Sequence, residues 1–484
     1  MNEYEKNLLF KFLQNQINEI PLIINEELTY QNKKFNHRND FNEITDIIND
    51  FLKNETLNRY IVLPGLRGVG KTTILYQIYE YLEKTKNISP NRILYLSCED
   101  LNRIIECNIL ETIEYYIKEF HNSSIRTLDK EIFILIDESH YDKNWSLAGK
   151  IIYDQTKKIF MIFTGSSALN LEYDAEATRR LIKNTICPLN YSQHLKLKYN
   201  YDTQDFSNEL FKLLFSSNIE KVAKLENDIN TDLLNLKDYT TSDWNNYLKF
   251  GGFPSVIHEK NQRFIYKKLY SSVDTIIRKD LGTIKNITTK SEDQASRLLQ
   301  FLAQKLPGDV SQNTIADCIK SSPSTANSLL RILEKTHLIF HYEPYVGPNG
   351  RAKKSWQYYF ASPSIRHSIN QYYGFSPMKK EDYEGILVEN LVASSLFNLM
   401  NCEKYFNFNV FFELEKNGVD FIIKKGFDKP IPIEVGAGNK TKRQIKRAIN
   451  KFDSNYGFII SNTRNKIEKE DDVIYIPLKT FSMI

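Results

Sequence analysis

Cysteine is scarce in this chain: five among 484 residues, at positions 98, 107, 187, 318 and 402, with no C-x-x-C pair. That spacing argues against a disulfide framework and against a zinc site built on paired thiolates. Long apolar runs are missing as well. The longest, such as IFILI and IFMIF, have the length of a strand and fall far short of a membrane span. Nor does one sign of charge dominate: 64 Lys and Arg against 60 Asp and Glu leave a formal charge of +4, so a patch for nucleic acid would have to be local. The first ten residues, MNEYEKNLLF, are acidic and polar where a secretory signal would be basic and apolar. With 41% apolar, 13% aromatic and 26% charged residues, the expectation is a folded cytoplasmic protein of two to four domains, without a membrane partner.

What is present begins at YIVLPGLRGVGKTTILYQIYEYL, residues 60 to 82. Here G-x-x-x-x-G-K-T lies between an apolar strand and a helix with apolar residues at helical spacing, the context that distinguishes a phosphate-binding loop from a chance match. Its nucleotide-binding residues are expected to be Gly65, Leu66, Arg67, Gly68, Val69, Gly70, Lys71, Thr72 and Thr73. Glycines let backbone N–H groups turn towards phosphates, and the helix that follows adds its positive dipole end. Lys71 would reach the β- and γ-phosphates of ATP, and the Thr72 hydroxyl would ligate Mg²⁺.

A second strand, in KEIFILIDESHY, ends at Asp137 and Glu138. Asp137 is placed to hold the magnesium shell, since ligands in open α/β sheets gather at the carboxyl ends of strands. Glu138 is placed as general base towards the attacking water, which predicts hydrolysis as well as binding. A third strand, in KKIFMIFTGSSALNL, breaks into Thr164, Gly165, Ser166 and Ser167; Thr164 and Ser166 are candidates to hydrogen-bond the γ-phosphate or the water. Further on, AEATRRL offers Arg179 and Arg180 as arginine fingers, in cis or from a neighbouring copy in a homo-oligomer; a solvated basic turn is an equal alternative.

Taken together, VLPGLRGVGKTTIL, FILIDESHYDKNW, FTGSSALNL, ATRRL, CPLNYSQHL and YLKFGGFPSVI resemble a prokaryotic family of AAA-superfamily ATPases close to the archaeal-type and NLR-like branch. The resemblance runs from about 45 to 484. It implies an aspartate–glutamate Walker B pair, a sensor strand, a following arginine, a winged helix and a C-terminal domain of restriction-endonuclease-like pattern.

Residues 199 to 250 read as a polar helical insert whose amphipathic spacing is explained by packing. From about 295, three helical stretches and a strand–loop–strand follow the winged-helix plan. Ser324 to Lys335 is the candidate recognition helix, with Asn327, Arg331 and Lys335, and the wing tip would carry Arg351, Lys353 and Lys354. In the last hundred residues a helix presents Glu389, a strand Asp420 and KPIPIEVGAGNK Glu434. In the endonuclease-like pattern two such carboxylates bind Mg²⁺ and a lysine two residues after the second assists the water. Here that position is Gly436, so a vestigial site is expected and cleavage is not; Lys440 and Lys442 follow nearby. From 440 to 451, six Lys and Arg (440, 442, 443, 446, 447, 451) occur without an acid. Arg443, Lys446 and Arg447, with Lys451 near them, share one helical face, which predicts a basic stripe able to contact phosphates, with a solvated helix as the alternative.

The expected class is α/β: a P-loop NTPase parallel sheet, a helical region and winged helix, then a C-terminal α/β endonuclease-like domain. Boundaries are expected at 1–45 for an N-terminal helical segment, 46–198 for the ATPase domain, 199–290 for the insert or lid, 291–375 for the winged helix and 380–484 for the last domain. The expected function is ATP hydrolysis with MgATP, coupled to DNA or RNA. Two alternatives stay open: a nucleotide-controlled switch that docks proteins, and an ATP-regulated metal-dependent nuclease.

Overall fold

Apolar runs of five to seven residues, buried along their whole length, build the first sheet, because a parallel strand covered on both faces has no solvent side to alternate towards. In the computed structural model the described residues are 2–105, 107–165, 179–280, 289–351, 354–375, 378–401, 407–438 and 440–484. Ser166, Ser167, the segment 175–178 and Lys353, all singled out above, lie outside them. The chain divides into two compact units, residues 1–186 and 187–484.

The first unit runs α1 (Glu3–Glu27), a hairpin of β1 (Thr29–Tyr30) and β2 (Lys33–Lys34), α2 (Asn39–Leu52), β3 (Tyr60–Pro64), α3 (Lys71–Glu80), β4 (Ile93–Ser97), α4 (Cys98–Ile104), α5 (Ile109–His121), β5 (Ile132–Asp137), α6 (Trp145–Gln155), β6 (Ile159–Gly165) and β7 (Ile182–Lys183). Its sheet has the order β4-β5-β6-β3-β7, every pair parallel. Pro64 pairs with Gly165 and Ser97 with Asp137, so the strand ends carrying the motifs lie side by side. Helix α5 buries Ile109, Ile113, Tyr116 and Ile117, one stripe at helical spacing. Leu9 and Leu13 of α1 join the same core, so this helix is built into the unit.

The second unit contains α7 (Tyr191–Tyr199), α8 (Gln204–Ser216), α9 (Glu220–Asn235), α10 (Ser242–Asn246), α11 (Gln262–Thr275), α12 (Thr289–Gln304), α13 (Gln312–Cys318), α14 (Pro323–Lys335), β8 (Ile339–Pro344), α15 (Pro348–Arg351), β9 (Gln357–Phe360), α16 (Pro363–Tyr373), α17 (Lys380–Asn401), β10 (Phe408–Phe412), β11 (Phe421–Lys425), β12 (Ile431–Gly436), α18 (Lys442–Lys451), β13 (Gly457–Ser461), β14 (Glu468–Glu470), β15 (Val473–Ile476) and α19 (Leu478–Phe481). Eight strands form one mixed sheet in the order β14-β15-β13-β12-β11-β10-β8-β9. Helix α17 packs into the larger core of this unit through Leu387, Leu391 and Leu396. Helix α18 covers a second core through Ile445, Ala448 and Ile449.

Two features differ from the sequence reading. The strands expected to form a separate wing, β8 and β9, continue the C-terminal sheet: Phe411 pairs in parallel with Glu343, and Phe412 with Pro344. An exposed edge is satisfied by any neighbour with free backbone groups, and sequence spacing does not say which. The polar insert also packs on this sheet. Phe206, Leu210 and Leu214 share its core, Tyr456 donates to the Leu214 carbonyl at 2.9 Å, and the buried Glu226 accepts from the Ile467 amide at 2.6 Å.

Candidate functional site

The loop between β3 and α3 has the backbone that phosphate binding requires. Gly68 and Gly70 adopt φ +82° and +98°, a region open to glycine at little cost. At Gly65 the constraint is space: a Cβ there would lie 2.4 Å from the Ile186 carbonyl oxygen. Lys71 is buried at the start of α3, and its Nζ donates to the carbonyls of Gly65 and Leu66 at 2.9 and 3.0 Å. The ammonium is thus folded back over its own loop, held by groups that a phosphate oxygen can replace.

Asp137 lies at the centre of the site. Its Oδ2 accepts from Thr72 Oγ1 at 2.6 Å and from the Tyr95 hydroxyl at 3.3 Å, while Oδ1 accepts from Thr164 Oγ1. Burial pushes its carboxyl above the ordinary range, and the neighbouring Glu138 charge adds to that; the two threonine hydroxyls and Lys71 oppose it. Two threonines from different elements on one buried carboxylate, beside an ammonium, form an oxygen-rich cluster suited to Mg²⁺ and phosphate. The residues present therefore fit MgATP.

Glu138 follows in a left-handed conformation, φ +50°, which costs a non-glycine residue about 1–3 kcal/mol and is characteristic of functional turns. Its amide donates to Asp137 Oδ1 and to Thr164 Oγ1, each at 3.2 Å. Its carboxylate lies 3.2 Å from Nδ1 of the buried His140. Burial lowers the His140 pKa to about 4, so the ring is neutral at physiological pH. The structure thus brings together Lys71, Thr72, Asp137, Glu138 and Thr164. Arg179 is exposed, and Arg180 Nε donates to Asp154 Oδ1 at 2.6 Å.

Three residues of this site were not picked out from sequence. The buried Arg38, before α2, donates from Nη1 to the Val69 carbonyl at 2.7 Å and from Nε to Asp40 at 3.0 Å, bracing the loop. Tyr95 and His140 complete the surroundings of Asp137 and Glu138. Arg38 precedes a helix without any motif; the histidine two residues after the Asp-Glu pair is the one visible signal.

In the second unit, Asp420 and Glu434 lie opposite one another by continuation of the β11–β12 register, in which Phe421 pairs with Ile433. Asp420 Oδ2 accepts from the Val435 amide at 2.6 Å, and Glu389 Oε1 from the Tyr359 hydroxyl at 2.8 Å. Gly436 offers no lysine at the position the pattern expects, and of the two lysines that follow nearby it is Lys440 that reaches the acids. Lys440 Nζ donates to Glu434 Oε1 at 2.6 Å. The physical reason is Gly436 itself: its missing side chain leaves the space through which Lys440 runs, and a Cβ there would lie 2.3 Å from Lys440 Cε. Burial raises Glu389 and Glu434 to about 8 and Asp420 to about 6; the Asp420 charge adds to both glutamates, and Lys440 opposes all three shifts. Among the described residues, no three His, Cys, Asp or Glu side chains stand close enough together to hold a metal ion by themselves.

On the basic helix, where a phosphate-contacting stripe and a solvated helix were both open, four cations have acidic partners. Lys442 pairs with Glu470, Lys446 with Asp471 at 3.3 Å, Arg447 with Glu415 at 3.9 Å, and Lys451 with Glu413 and Glu415 at 2.6 and 2.7 Å. The acids come from neighbouring loops and strands, so an acid-free stretch of sequence is charge-compensated in the fold. On the candidate recognition helix, Arg331 and Lys335 are exposed; Arg351 turns inward, donating to the Val346 carbonyl at 2.9 Å and stacking over Phe411.

Among known proteins, residues 57–195 match the model of an AAA domain (AAA_14); residues 241–376 and 384–481 match two domains of unknown function (DUF8612 and DUF4143). Two uncharacterized proteins of Methanocaldococcus jannaschii are similar: MJ1637, 28% identical over 98% of this chain and 93% of its own, and MJ1544, 24% identical over 76% and 72%. Solved structures with some similarity include the Aeropyrum pernix ORC1 protein in complex with DNA (11% identity, 69% and 92% coverage, TM-score 0.31) and AMPPCP-bound DnaA from Aquifex aeolicus (18%, 60% and 87%, TM-score 0.25). At those scores they carry no functional argument. The fold is mixed α/β, with a five-stranded parallel sheet of the P-loop NTPase kind followed by helical and C-terminal α/β regions.

Proposed function

We propose that the chain binds ATP with Mg²⁺ on the loop 65–72 and hydrolyses it. The observation that carries this reading is the convergence of Thr72 and Thr164 on the buried Asp137 beside Lys71. The metal supplies neutralisation of phosphate charge, with Thr72 and Asp137 holding its shell. Lys71 exchanges its two carbonyl partners for phosphate oxygens, and Glu138 takes the proton of the attacking water once its carboxylate leaves His140. Phosphate release from ATP by purified protein, dependent on Mg²⁺ and absent in Lys71→Ala, tests it.

The domains that follow set what the nucleotide controls. Coupling to DNA or RNA is one reading, through the exposed cations of α14. The compensated charges of α18 favour a second, in which nucleotide state governs docking of a protein partner. ATPase rate with and without DNA or RNA separates them: stimulation supports the first, and an unchanged rate supports the second.

A further inference from the structure

Tyr95 stands two residues before the end of β4 and is 5% exposed. In the parallel register it lies beside Leu135, and its phenol reaches forward on the same face of the sheet to Asp137. The hydroxyl donates to Asp137 Oδ2 at 3.3 Å, the oxygen that also accepts from Thr72 Oγ1 at 2.6 Å. Burial pushes the phenol far above its ordinary range, and the Asp137 charge adds to that, so the proton stays on the ring oxygen. On α3 the half-buried Tyr76 packs against Tyr95 with ring centroids 5.2 Å apart, and the two phenols share a hydrogen bond. Tyr95 has one proton and donates it to Asp137, so Tyr76 is the donor between the phenols. Thr72 and Tyr76 are four residues apart on one face of α3. The helix that carries Lys71 therefore grips Asp137 twice, directly through Thr72 and at one remove through Tyr76 and Tyr95.

We infer that Tyr95 is a positioning residue for the Asp137 carboxylate and Tyr76 its support, a role that rests on the MgATP reading above. Of the two donors on Oδ2, Thr72 is itself a proposed ligand and has to turn its oxygen to the ion. Tyr95 has no such duty, so its bond holds Oδ2 in place while Thr72 reorients. The Thr164 hydroxyl and the Glu138 amide hold Oδ1 in the same way. Mg²⁺ tolerates little departure from octahedral geometry, so a carboxylate fixed beforehand receives its shell without a reorganisation cost. Neither tyrosine belongs to a nucleotide-binding motif. Their contribution comes from β4 and from the second turn of α3, away from the loop itself.

The test is Mg²⁺ titration of a fluorescent ATP analogue on the full-length protein, with a second titration of the analogue in EDTA to read binding without the metal. Tyr95→Phe keeps the ring and its packing. It should raise the half-saturating Mg²⁺ about fivefold, the worth of one hydrogen bond, and leave the affinity in EDTA unchanged. Tyr76→Phe should act in the same direction by about twofold, because a phenol that accepts a hydrogen bond is the better donor. It serves if Tyr95→Phe folds poorly. In an Asp137→Asn background Tyr95→Phe should shift nothing further, since the group it positions has gone. An Mg²⁺ midpoint unmoved by both tyrosine variants, a loss of equal size in EDTA, or a shift that persists in Asp137→Asn would each overturn the positioning role. Analogue binding by wild type that is indifferent to Mg²⁺ would overturn the MgATP reading, and the role of Tyr95 with it.

Discussion

Thr72 Oγ1 donates to Asp137 Oδ2 across 2.6 Å, joining the two motifs of the first unit over 65 residues of sequence. One hydroxyl and one carboxylate oxygen here are bonded to each other, and in the proposed function both would hold the Mg²⁺ shell. Thr72→Val should therefore raise the Mg²⁺ concentration needed for half-maximal ATP binding by about tenfold, the equivalent of one lost ligand contact. Titration of Mg²⁺ at fixed nucleotide, read by a fluorescent ATP analogue, checks it.

In the proposed function Lys71 and Glu138 would act at different stages, and their variants should separate. On that reading the lysine would touch phosphate in the ground state and the glutamate would act on water in the transition state. Lys71→Ala should abolish ATP binding; Glu138→Gln should keep the affinity within about threefold and lose turnover by at least 10²-fold. Equal loss of affinity in both variants would remove Glu138 from the role of base.

Arg38 provides a prediction that no motif suggested. Its guanidinium bridges Asp40 and the Val69 carbonyl, so Arg38→Ala leaves a loop carbonyl without its donor, at about 1–3 kcal/mol. ATP affinity should fall about tenfold and the Tm by several degrees. Arg38→Lys should not rescue it, because a single ammonium cannot reproduce the two-point fork. Isothermal titration with ATP and a thermal melt of each variant measure the two effects.

Arg180 is tied to Asp154, and that pair has to open if the guanidinium is to meet a phosphate. Asp154→Asn should raise turnover by about twofold, the worth of one half-exposed ion pair. Arg180→Ala should lower turnover without weakening ATP binding. A specific rate that climbs with protein concentration would place the arginine in trans; a constant rate would place it in cis. No change in either Arg179→Ala or Arg180→Ala would discard both as fingers.

The first unit was legible because its signals are local. An apolar run, a glycine loop and an acidic strand end each specify their own backbone, and parallel strands bring Pro64, Asp137 and Gly165 to one edge with little freedom. The second unit was less so because its decisive contacts are long-range. That β8 joins β10, or that Glu470 and Asp471 neutralise α18, depends on which segments pack together, and periodicity is silent on that. Gly436 shows the limit most clearly. Read along the chain it was an absent lysine; in the fold it is the opening through which Lys440 arrives.

His140 allows a prediction about pH in which the sign is fixed by burial. The groups that act on the ring are Glu138, which favours its protonation, and Arg67 and Lys71, which oppose it; burial outweighs them and brings the pKa to about 4 from 6.5. Between those values the unfolded chain holds a proton that the folded chain does not. The folded state therefore loses stability as pH falls from 6.5 towards 4, by about 1.4 kcal/mol per pH unit at most for this one group, and loses nothing through it above 6.5. His140→Gln keeps a polar side chain without the titration and should flatten that slope. Urea unfolding at half-unit pH steps, followed by a probe within residues 1–186, reads the difference. A slope unchanged by His140→Gln would mean that the ring can take its proton without leaving the fold, and Glu138 would be the group positioned to stabilise it.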